Sequence, residues 1–427
     1  MDEVLKKLSN SWDWETPRKE ISSTGQWVSQ FAEVQELVTS PDGERVAAIV
    51  QDEDESFRVC VNGETWSTTF EKAWSLKFSA DGTLYVLGMN DDEWSVIEED
   101  NPWDDSFEYV WNLTFSPNGR SAGVNIKDSA GYGASLNGIA WDDKFVQIRS
   151  MKISNDGQHS AGNVQMEPLS EGDTATFRKG LWSLAVDGQP WEKRFMNVWG
   201  CAFSDDGSRV AAEVRLQSGK QTIAVDGVCW SQQFKAVWEP TFLPGTHEVI
   251  APGLTPEGWR LHINGVPLWK QSFNQVWRQK FGPDGKRLAA VVSPEFGLWS
   301  VAVDGTSWKR PFSDVVLDPV FSPDSKHVSV AVRNDNRWTI VVDGEAWNQT
   351  FDMAWSPVFS PDSAQVAAQV AVGKNYFLAL NGKIVLGPFE MMWEPVFSPS
   401  GDAILLKCVE ESQCLRNILP LRDLLRK

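Results

Sequence analysis

The sequence predicts an all-β protein, a single β-propeller of about ten four-stranded blades. A repeat of about 39 residues recurs along nearly the whole chain, and every copy contains hairpin turns. In addition, the two ends of the chain hold complementary parts of one copy. These observations predict a row of antiparallel sheets that is closed when the N-terminal strand completes the last blade.

Each copy starts with segment a, whose pattern W-x-x-x-F leads into a Ser-Pro-Asp-Gly turn or a variant of it. In such a turn proline sets φ, aspartate bonds back to the backbone and glycine takes the positive φ. This composition predicts a tight reversal into segment b. The predicted first positions of segment a are Val34, Trp74, Trp111, Ile148, Trp199, Trp238, Trp277, Val316, Trp355 and Trp393.

The rest of each copy supplies three more segments with strand character. Segment b alternates small and branched apolar residues, as in Arg45 to Val50, and segment c has period-two alternation before an Asp-Gly or Asn-Gly turn, as in Trp299 to Gly305. These dipeptides are the strongest short hairpin signals. Segment d is again W-x-x-x-F, as at Trp308 to Phe312. Four antiparallel strands in about 39 residues match one propeller blade.

The chain ends predict how the propeller closes. Trp27 to Phe31 (WVSQF) forms a segment d with nothing before it, whereas the tenth copy, Trp393 to Ile418, lacks segment d. Pairing the two would leave no sheet edge exposed. The predicted organisation is an N-terminal cap segment at 1–26, a propeller at 27–418 and a C-terminal tail at 419–427, in which Pro420 opposes one continuous helix.

The blade number exceeds the usual range of about 4–8. Two five-bladed rings are therefore an alternative to one ring. The unbroken rhythm of the repeat favours one ring, because separate domains are normally joined by a polar linker.

Tryptophan is the dominant aromatic residue, with 23 copies against 4 tyrosines. All but Trp12 and Trp14 stand at the first positions of segments a, c and d. A residue that recurs with the repeat indicates packing of blade against blade, where each indole buries up to about 250 Å². Electron relays or sugar-stacking platforms are the alternatives, and the spacing gives them no support.

Composition excludes several classes of function. A formal charge of −19 opposes nucleic-acid binding, which needs clustered Lys and Arg. No stretch resembles a membrane span or the apolar core of a signal peptide, so we expect a soluble cytoplasmic protein. The five cysteines form no CxxC pair, and their irregular spacing fits a reducing compartment.

The sequence predicts no cofactor, metal or catalytic residue. The four histidines occupy unrelated positions of the repeat, and no turn offers the oxygen ligands of a calcium loop. A G-x-S-x-G elbow, a P-loop and an HExxH motif are all missing. Paired carboxylates across a central channel remain open as an acid–base alternative.

The candidate partner-binding residues lie in variable loops. The b–c turns and d–a loops share one face and differ in length and charge, and the longest is the insertion from Met166 to Gly180. Variable loops on a rigid scaffold are the usual place for binding. Two of them are strongly acidic, which predicts contact with a basic partner surface; a solvated rim is an equal alternative. The candidate residues are Asp52, Glu53, Asp54, Asp91 and Asp92.

Two resemblances follow from these motifs. The FSPDG turn and the small-apolar strand after it resemble the WD40-like repeat of TolB-type propellers, which implies the fold over almost the whole chain. The added W-x-x-x-F segments and the tryptophan count resemble the tryptophan-rich subunit of the Tmc transmembrane redox complex of sulfate-reducing bacteria.

The second resemblance implies a cytoplasmic accessory subunit of a membrane-associated electron-transfer complex. It also implies a multihaem cytochrome c, an iron–sulfur protein and a membrane cytochrome b as partners. The chain offers no ligand set for haem or a cluster, so its own role would be that of a non-catalytic scaffold. A stand-alone propeller that binds proteins or peptides is the alternative, and an enzyme with a carboxylate-lined channel is the second alternative.

Overall fold

The computed structural model of the chain describes residues 7–426, which form a β-propeller of ten four-stranded blades, as predicted. In each blade the strands a, b, c and d pair antiparallel with their neighbours in that order. Blades 1–10 are numbered by their strand a. In blades 8–10 strand a consists of two short pieces.

The strands of blades 1–5 are Glu33–Thr39, Val46–Gln51, Phe57–Val61 and Glu64–Thr65; Lys72–Phe78, Leu84–Asn90, Glu93–Glu98 and Asn101–Pro102; Tyr109–Phe115, Ala122–Asp128, Gly131–Leu136 and Ile139–Ala140; Gln147–Ile153, Ser160–Gln165, Trp182–Val186 and Gln189–Pro190; Asn197–Phe203, Val210–Arg215, Gln221–Val225 and Val228–Cys229.

The strands of blades 6–10 are Thr241–Phe242, Val249–Thr255, Gly258–Ile263 and Val266–Pro267; Gln275–Phe281, Leu288–Ser293, Ser300–Val303 and Thr306–Ser307; Val315–Val316 with Val320–Phe321, Val328–Asn334, Arg337–Val342 and Glu345–Ala346; Met353–Ala354 with Val358–Phe359, Val366–Val372, Asn375–Leu380 and Lys383–Phe389; Met391–Met392 with Val396–Phe397, Ala403–Glu410, Gln413–Pro420 and Arg18–Ser23. The helices are the 3-10 turn Ser9–Ser11 and the α-helices Thr24–Gln30, Thr174–Lys179 and Leu421–Leu424.

Contacts divide the chain into two compact units. Unit 1 comprises the residues up to 70, residues 76–84 and those from 278 on, and therefore holds blades 1, 8, 9 and 10 with most of blade 7. Unit 2 comprises residues 71–75 and 85–277, and holds blades 3–6 with most of blade 2.

Strand a is irregular in both units. In blade 1 the ladder to strand b shifts register between Gln35 and Val38, around Glu36, whose φ is 49°. Such a bulge adds one residue to a strand and bends it. In blades 8–10 a proline without an N–H divides strand a into its two pieces. These prolines are Pro319, Pro357 and Pro395.

In blades 1–8 strand d has two residues and is shorter than the predicted W-x-x-x-F segment. In blade 8 the regular strand is only Glu345–Ala346, after which the N–H of Trp347 bonds to strand c and Phe351 pairs with Trp338 through a single bridge. The residues between these two anchors bulge away from the ladder. The hydroxyl of Thr339 on strand c donates to the carbonyls of Trp347 and Gln349, at 3.2 and 3.1 Å. A hydroxyl on strand c thus replaces the missing ladder bonds.

The tryptophans that follow strand d pack blade against blade, as predicted. A Cβ placed on Gly344, in the c–d turn of blade 8, would lie 3.2 Å from the indole Cγ of Trp308 in blade 7. The same relation joins blades 2 and 3, where a Cβ on Gly138 would lie 3.6 Å from the indole Cγ of Trp103. Each indole therefore covers a turn whose glycine is in the left-handed conformation, with φ of 87° at Gly344.

Strand b carries the small residues that let blades approach. Ala367 and Ala368 are completely buried, and the alternate side chains of this strand face opposite neighbours. One hydrophobic cluster joins blades 8 and 9, and the next joins blades 9 and 10, where Cys408 lies among leucines. The core is thus a series of inter-blade layers.

The N-terminal strand completes blade 10, although a different strand from the predicted one does so. Arg18–Ser23 pairs with Gln413–Pro420, so closure is confirmed. The expectation that Trp27 to Phe31 is the completing strand is wrong, because Trp27 lies in the helix Thr24–Gln30. The Ser23 hydroxyl accepts from the N–H of Gln26 and caps this helix, which favours helix over strand here.

Two buried cations connect blade 10 to blade 1 within unit 1. Lys407 and Arg416 are cross-strand partners with 8% and 0% exposure. The Lys407 Nζ donates to the Ser40 carbonyl at 3.3 Å, and the Arg416 Nε donates to the Asp42 carbonyl at 2.9 Å. Glu44 lies 3.0 Å from the same Nε. Burial lowers the pKa of Lys407 to about 8.

Candidate functional site

Each blade has two chemically different ends. We call the end with the a–b and c–d turns the cd end, and the end with the b–c turn and the d–a connection the bc end. At the cd end of blade 8 the Asp343 carboxylate accepts from the N–H of Val328 at 2.9 Å and lies 2.6 Å from His327. Ser322 donates to Asp324 at 2.6 Å. These aspartates hold turns together, in agreement with their predicted role.

The acidic turn of blade 1 lies at the bc end and combines structural with exposed carboxylates. Asp52 accepts from Arg58 in a two-pronged pair at 2.7 and 2.8 Å. Asp54 accepts from the Ser56 hydroxyl and N–H, and these bonds lower the pKa of its carboxyl. Glu53 is exposed. Of the three predicted residues, Glu53 is thus the one whose carboxylate has no role in the turn.

The acidic turn of blade 2 has the same location in its own sheet. Asp91 and Asp92 are exposed and both adopt left-handed conformations, with φ of 50° and 63°. Asp and Asn tolerate that conformation better than other non-glycine residues. The turn is held through the N–H of Asp91, which donates to Glu71 at 3.3 Å, so both aspartate side chains extend from a fixed backbone.

Aromatic side chains stack within blades at the bc end. The first tryptophan of strand a lies on the ring that opens strand c, as for Trp74 on Trp94 at 4.7 Å and Trp238 on Trp259 at 5.2 Å between ring centroids. Trp238 is 41% exposed. These stacks explain the recurrence of tryptophan at two positions, and they leave part of each outer ring open to solvent.

The register of strand a corrects three predicted first positions. In blade 3 Trp111 is paired with Asn125 on strand b. The registers of strands a and b in blades 1, 4 and 8 show which residue occupies the equivalent position there. The ladders place Gln35, Arg149 and Leu317 in the tryptophan position, one residue after the predicted Val34, Ile148 and Val316. These three residues precede their turns by five positions, as the tryptophans do, and the predicted positions are wrong because the prediction uses an apolar residue directly before each of them instead.

Arg149 therefore stands where seven blades carry tryptophan. Its guanidinium carbon lies 3.6 Å from the centroid of the Trp182 ring, in the same stacked relation as the indole pairs. Next to it, a cavity of about 500 Å³ is lined by blades 3 and 4 of unit 2. The lining residues are Trp111, Tyr132, Val146, Gln147, Ile148, Arg149 and Gln165.

A carboxylate pair lies at the bulge of blade 5. Glu213 on strand b is 6% exposed, and burial together with the charge of Glu239 raises the pKa of its carboxyl to about 8. Glu239 is exposed and lies 3.9 Å from Lys152. The bulge residue above Glu213 is Gly200, and a Cβ there would meet the Glu239 side chain at 2.8 Å.

Unit 1 contains a second cavity of about 440 Å³ along strands a of blades 7–10. Its charged lining residues are Arg278, Lys280, Asp318 and Glu394. Arg278 is paired with Asp318, and burial raises the pKa of Glu394. One of the two lining cations is thus already occupied by an acidic partner.

Sequence reasoning missed Arg149 and the Glu213–Glu239 pair. The signal that finds them is departure from the repeat, since Arg149 replaces a tryptophan, and Glu213 stands at a strand-b position that is apolar or an amide in every other blade except blade 10, where it is Lys407.

Comparison with known proteins finds similarity among solved structures and none among family models or curated sequences. No protein-family model matches the chain, and no curated protein sequence matches it. A solved structure described as a crystal structure of the eukaryotic initiation factor is 13% identical over 79% of this chain and 90% of its own, with a TM-score of 0.44. The Dos1 propeller is 10% identical over 94% and 95%, with a TM-score of 0.35. No helix in residues 7–426 has the length and apolar character needed to cross a membrane.

Proposed function

We propose that this chain is a non-catalytic scaffold that binds partner proteins through the bc ends of its blades. The observation that carries the proposal is the contrast between the two ends. The turn carboxylates of the cd end are used in hydrogen bonds that hold the fold, whereas Glu53, Asp91 and Asp92 extend from fixed turns into solvent. A rigid turn whose exposed carboxylates take no part in holding the turn is suited to recognition of a basic surface.

The specific assembly that we propose is a membrane-associated electron-transfer complex, in which this chain is an accessory subunit on the cytoplasmic side. The support is the resemblance of its tryptophan-rich repeats to the tryptophan-rich Tmc subunit, together with a charge of −19 that favours basic partners. The partners would be a multihaem cytochrome c, an iron–sulfur protein and a membrane cytochrome b. A stand-alone protein-binding propeller is the alternative, and it predicts partners without redox cofactors.

The test is isolation of the tagged chain from its native source in mild detergent, followed by identification of the proteins that remain bound. The proposal expects haem- and iron–sulfur-containing partners that dissociate as the salt concentration rises, because exposed charge pairs are screened. Partners without cofactors would favour the stand-alone alternative. Recovery of the chain alone under all conditions would contradict the scaffold proposal.

A matched pair of variants tests the binding surface. The triple change Glu53→Gln, Asp91→Asn and Asp92→Asn removes three exposed charges, and asparagine keeps the left-handed turn of blade 2. The control Glu64→Gln, Glu192→Gln and Glu345→Gln removes three exposed charges outside the bc turns. We expect the first triple to weaken partner binding about tenfold and the control to leave it unchanged. Equal effects would indicate general charge attraction instead of a bc-end site.

An acid–base enzyme is the second candidate, and the Glu213–Glu239 pair favours it. A buried carboxyl with a raised pKa beside an exposed carboxylate is an arrangement found in acid–base catalysis. A panel of chromogenic glycosides and esters tests this function. Turnover that disappears in both Glu213→Gln and Glu239→Gln would support an enzyme, and turnover unaffected by them would exclude this pair.

A further inference from the structure

Arg149 is a charged residue at the strand-a position where seven other blades carry a packed tryptophan. The ten blades provide an internal comparison, because equivalent positions have equivalent surroundings. Seven carry tryptophan at the start of strand a, and Gln35 and Leu317 occupy two of the other three. Arg149 is exposed and stacks on Trp182 as an indole would, so it satisfies the packing role and adds a positive charge.

The guanidinium of Arg149 retains unused hydrogen-bonding capacity. Its Nη1 donates to the side-chain oxygen of Asn197 at 2.7 Å, while in residues 7–426 no carboxylate lies within 4 Å of it. Partial burial lowers the pKa of Arg149 by desolvating its charged form. An arginine has five N–H donors in a planar fork, and a single amide oxygen satisfies only a small part of them.

The neighbouring cations differ from Arg149 because each has an acidic partner. Lys127 pairs with Glu108 at 2.7 Å and Lys144 pairs with Asp128 at 3.5 Å. Lys152 faces Glu239. Among these four cations Arg149 is therefore the one without an acidic partner in the described part of the chain, and its charge is available to a ligand.

The cavity beside Arg149 has an apolar wall. The rings of Trp111 and Tyr132 meet edge to face with centroids 6.0 Å apart, and Val146 is 38% exposed on the opposite side. About 500 Å³ is enough for a small ring-containing molecule or one side chain of a peptide. Ring faces and aliphatic groups bind flat or apolar bodies by stacking and burial.

We propose that the cleft between blades 3 and 4 binds a carboxylate carried on an aromatic or other apolar group. The free N–H donors of Arg149 hold the carboxylate, and Trp111, Tyr132 and Val146 contact the apolar part. A planar guanidinium matches a carboxylate with two parallel hydrogen bonds. The ligand is either a small acid or the carboxylate of a peptide, and binding of both can be measured without any partner protein.

Charge favours a monocarboxylate over a phosphate at this site. One arginine supplies the only unpaired positive charge described here in the cleft, whereas phosphate sites usually gather several donors or cations. The chain carries a net charge of −19, which repels a dianion more strongly than a monoanion.

Ligand-observed NMR with four probes tests the proposal on the full chain. The probes are phenylacetate, phenylacetamide, acetate and inorganic phosphate. We expect phenylacetate to bind with a dissociation constant on the order of 1 mM, and the three others to bind at least about tenfold more weakly. Stronger binding of phosphate, or equal binding of phenylacetamide, would overturn the assignment of a carboxylate. N-acetyl-phenylalanine then distinguishes a peptide C-terminus from a small acid, by binding more tightly or less tightly than phenylacetate.

The decisive variant is Arg149→Trp, which restores the residue that seven blades already carry. It removes the charge and keeps the stack on Trp182, so we expect an unchanged melting temperature and at least a tenfold loss of phenylacetate binding. Arg149→Gln, which keeps a bond to Asn197, serves as the second variant should the indole disturb folding. Arg278→Gln is the control, because that arginine is already paired with Asp318. Undiminished binding in either Arg149 variant would overturn the proposal.

Discussion

The indole of Trp27 lies against Gly63 in the same way that the tryptophans after strand d lie against the turn glycine of the next blade. A Cβ on Gly63 would be 3.7 Å from the Trp27 Nε1, compared with 3.6 Å between Gly138 and the Trp103 ring. Trp27 is on a helix, whereas Trp103 follows a strand. The indole of Trp27 thus occupies the same place on a turn glycine although its backbone is helical. This indicates that the indole, and not a strand, fills the layer between blades 10 and 1.

Replacement of Trp27 by alanine should destabilise the protein by about 3–5 kcal/mol, because it empties a site that is 2% exposed. Val28→Ala, at a neighbouring residue with 69% exposure, should change the free energy of unfolding by less than about 0.5 kcal/mol. Denaturant titration measures both. Similar midpoints for the two variants would show that Trp27 does not close the layer between blades 10 and 1.

Glycine at the c–d turn is required by its conformation and by the indole above it. Gly344→Ala places a methyl group at φ 87° and 3.2 Å from Trp308, whereas Gly373→Ala meets a φ of 62° with nothing within 4 Å. Left-handed backbone costs about 1–2 kcal/mol in both, and the crowded site adds about 1–3 kcal/mol. The melting temperature of Gly344→Ala should therefore be clearly lower than that of Gly373→Ala. The reverse order would contradict the packing of indole on turn.

Much of the fold could be predicted from the sequence, because the hairpin turns and the recurrent tryptophans are local signals. The completing strand could not, since WVSQF reads like other copies and only the Ser23 cap marks it as a helix. The position of Arg149 was misassigned by one residue, because the prediction places the apolar Ile148 at the start of segment a, although Arg149 precedes its turn by five residues as the tryptophans do. The Glu213–Glu239 pair could not be predicted, because its two residues belong to different blades and only the fold brings them together.

Lys407 should make stability depend on alkaline pH. Its folded pKa of about 8 is below the unfolded value of 10.5, so between these values the unfolded chain binds more protons and stability rises with pH. The gain reaches at most about 3 kcal/mol. Lys407→Met should remove this rise, while Lys383→Met, at an exposed residue of blade 9, should keep it. The measurement is the free energy of unfolding from pH 7 to 10.5, and identical slopes in all three proteins would contradict the burial of a charged amine.

Glu213 should have the opposite dependence at lower pH. Its folded pKa of about 8 lies above the ordinary glutamate value of 4.5, so the unfolded chain releases the proton first and stability falls as pH rises from 4.5 to 8. Glu213→Gln keeps the shape of the neutral acid and avoids this loss. The variant should match the native protein near pH 4 and exceed its stability at pH 7.5 by up to about 4 kcal/mol.

The control for this prediction is Glu192→Gln, an exposed residue of the same unit, which should follow the native protein at every pH. Melting temperatures at pH 4, 6 and 7.5 are sufficient to compare the three proteins. A variant that is less stable than the native protein at pH 7.5 would mean that Glu213 is ionised and held by a favourable partner in the fold. The carboxyl could then not serve as the acid of a pair with Glu239, and the second candidate function would lose its basis.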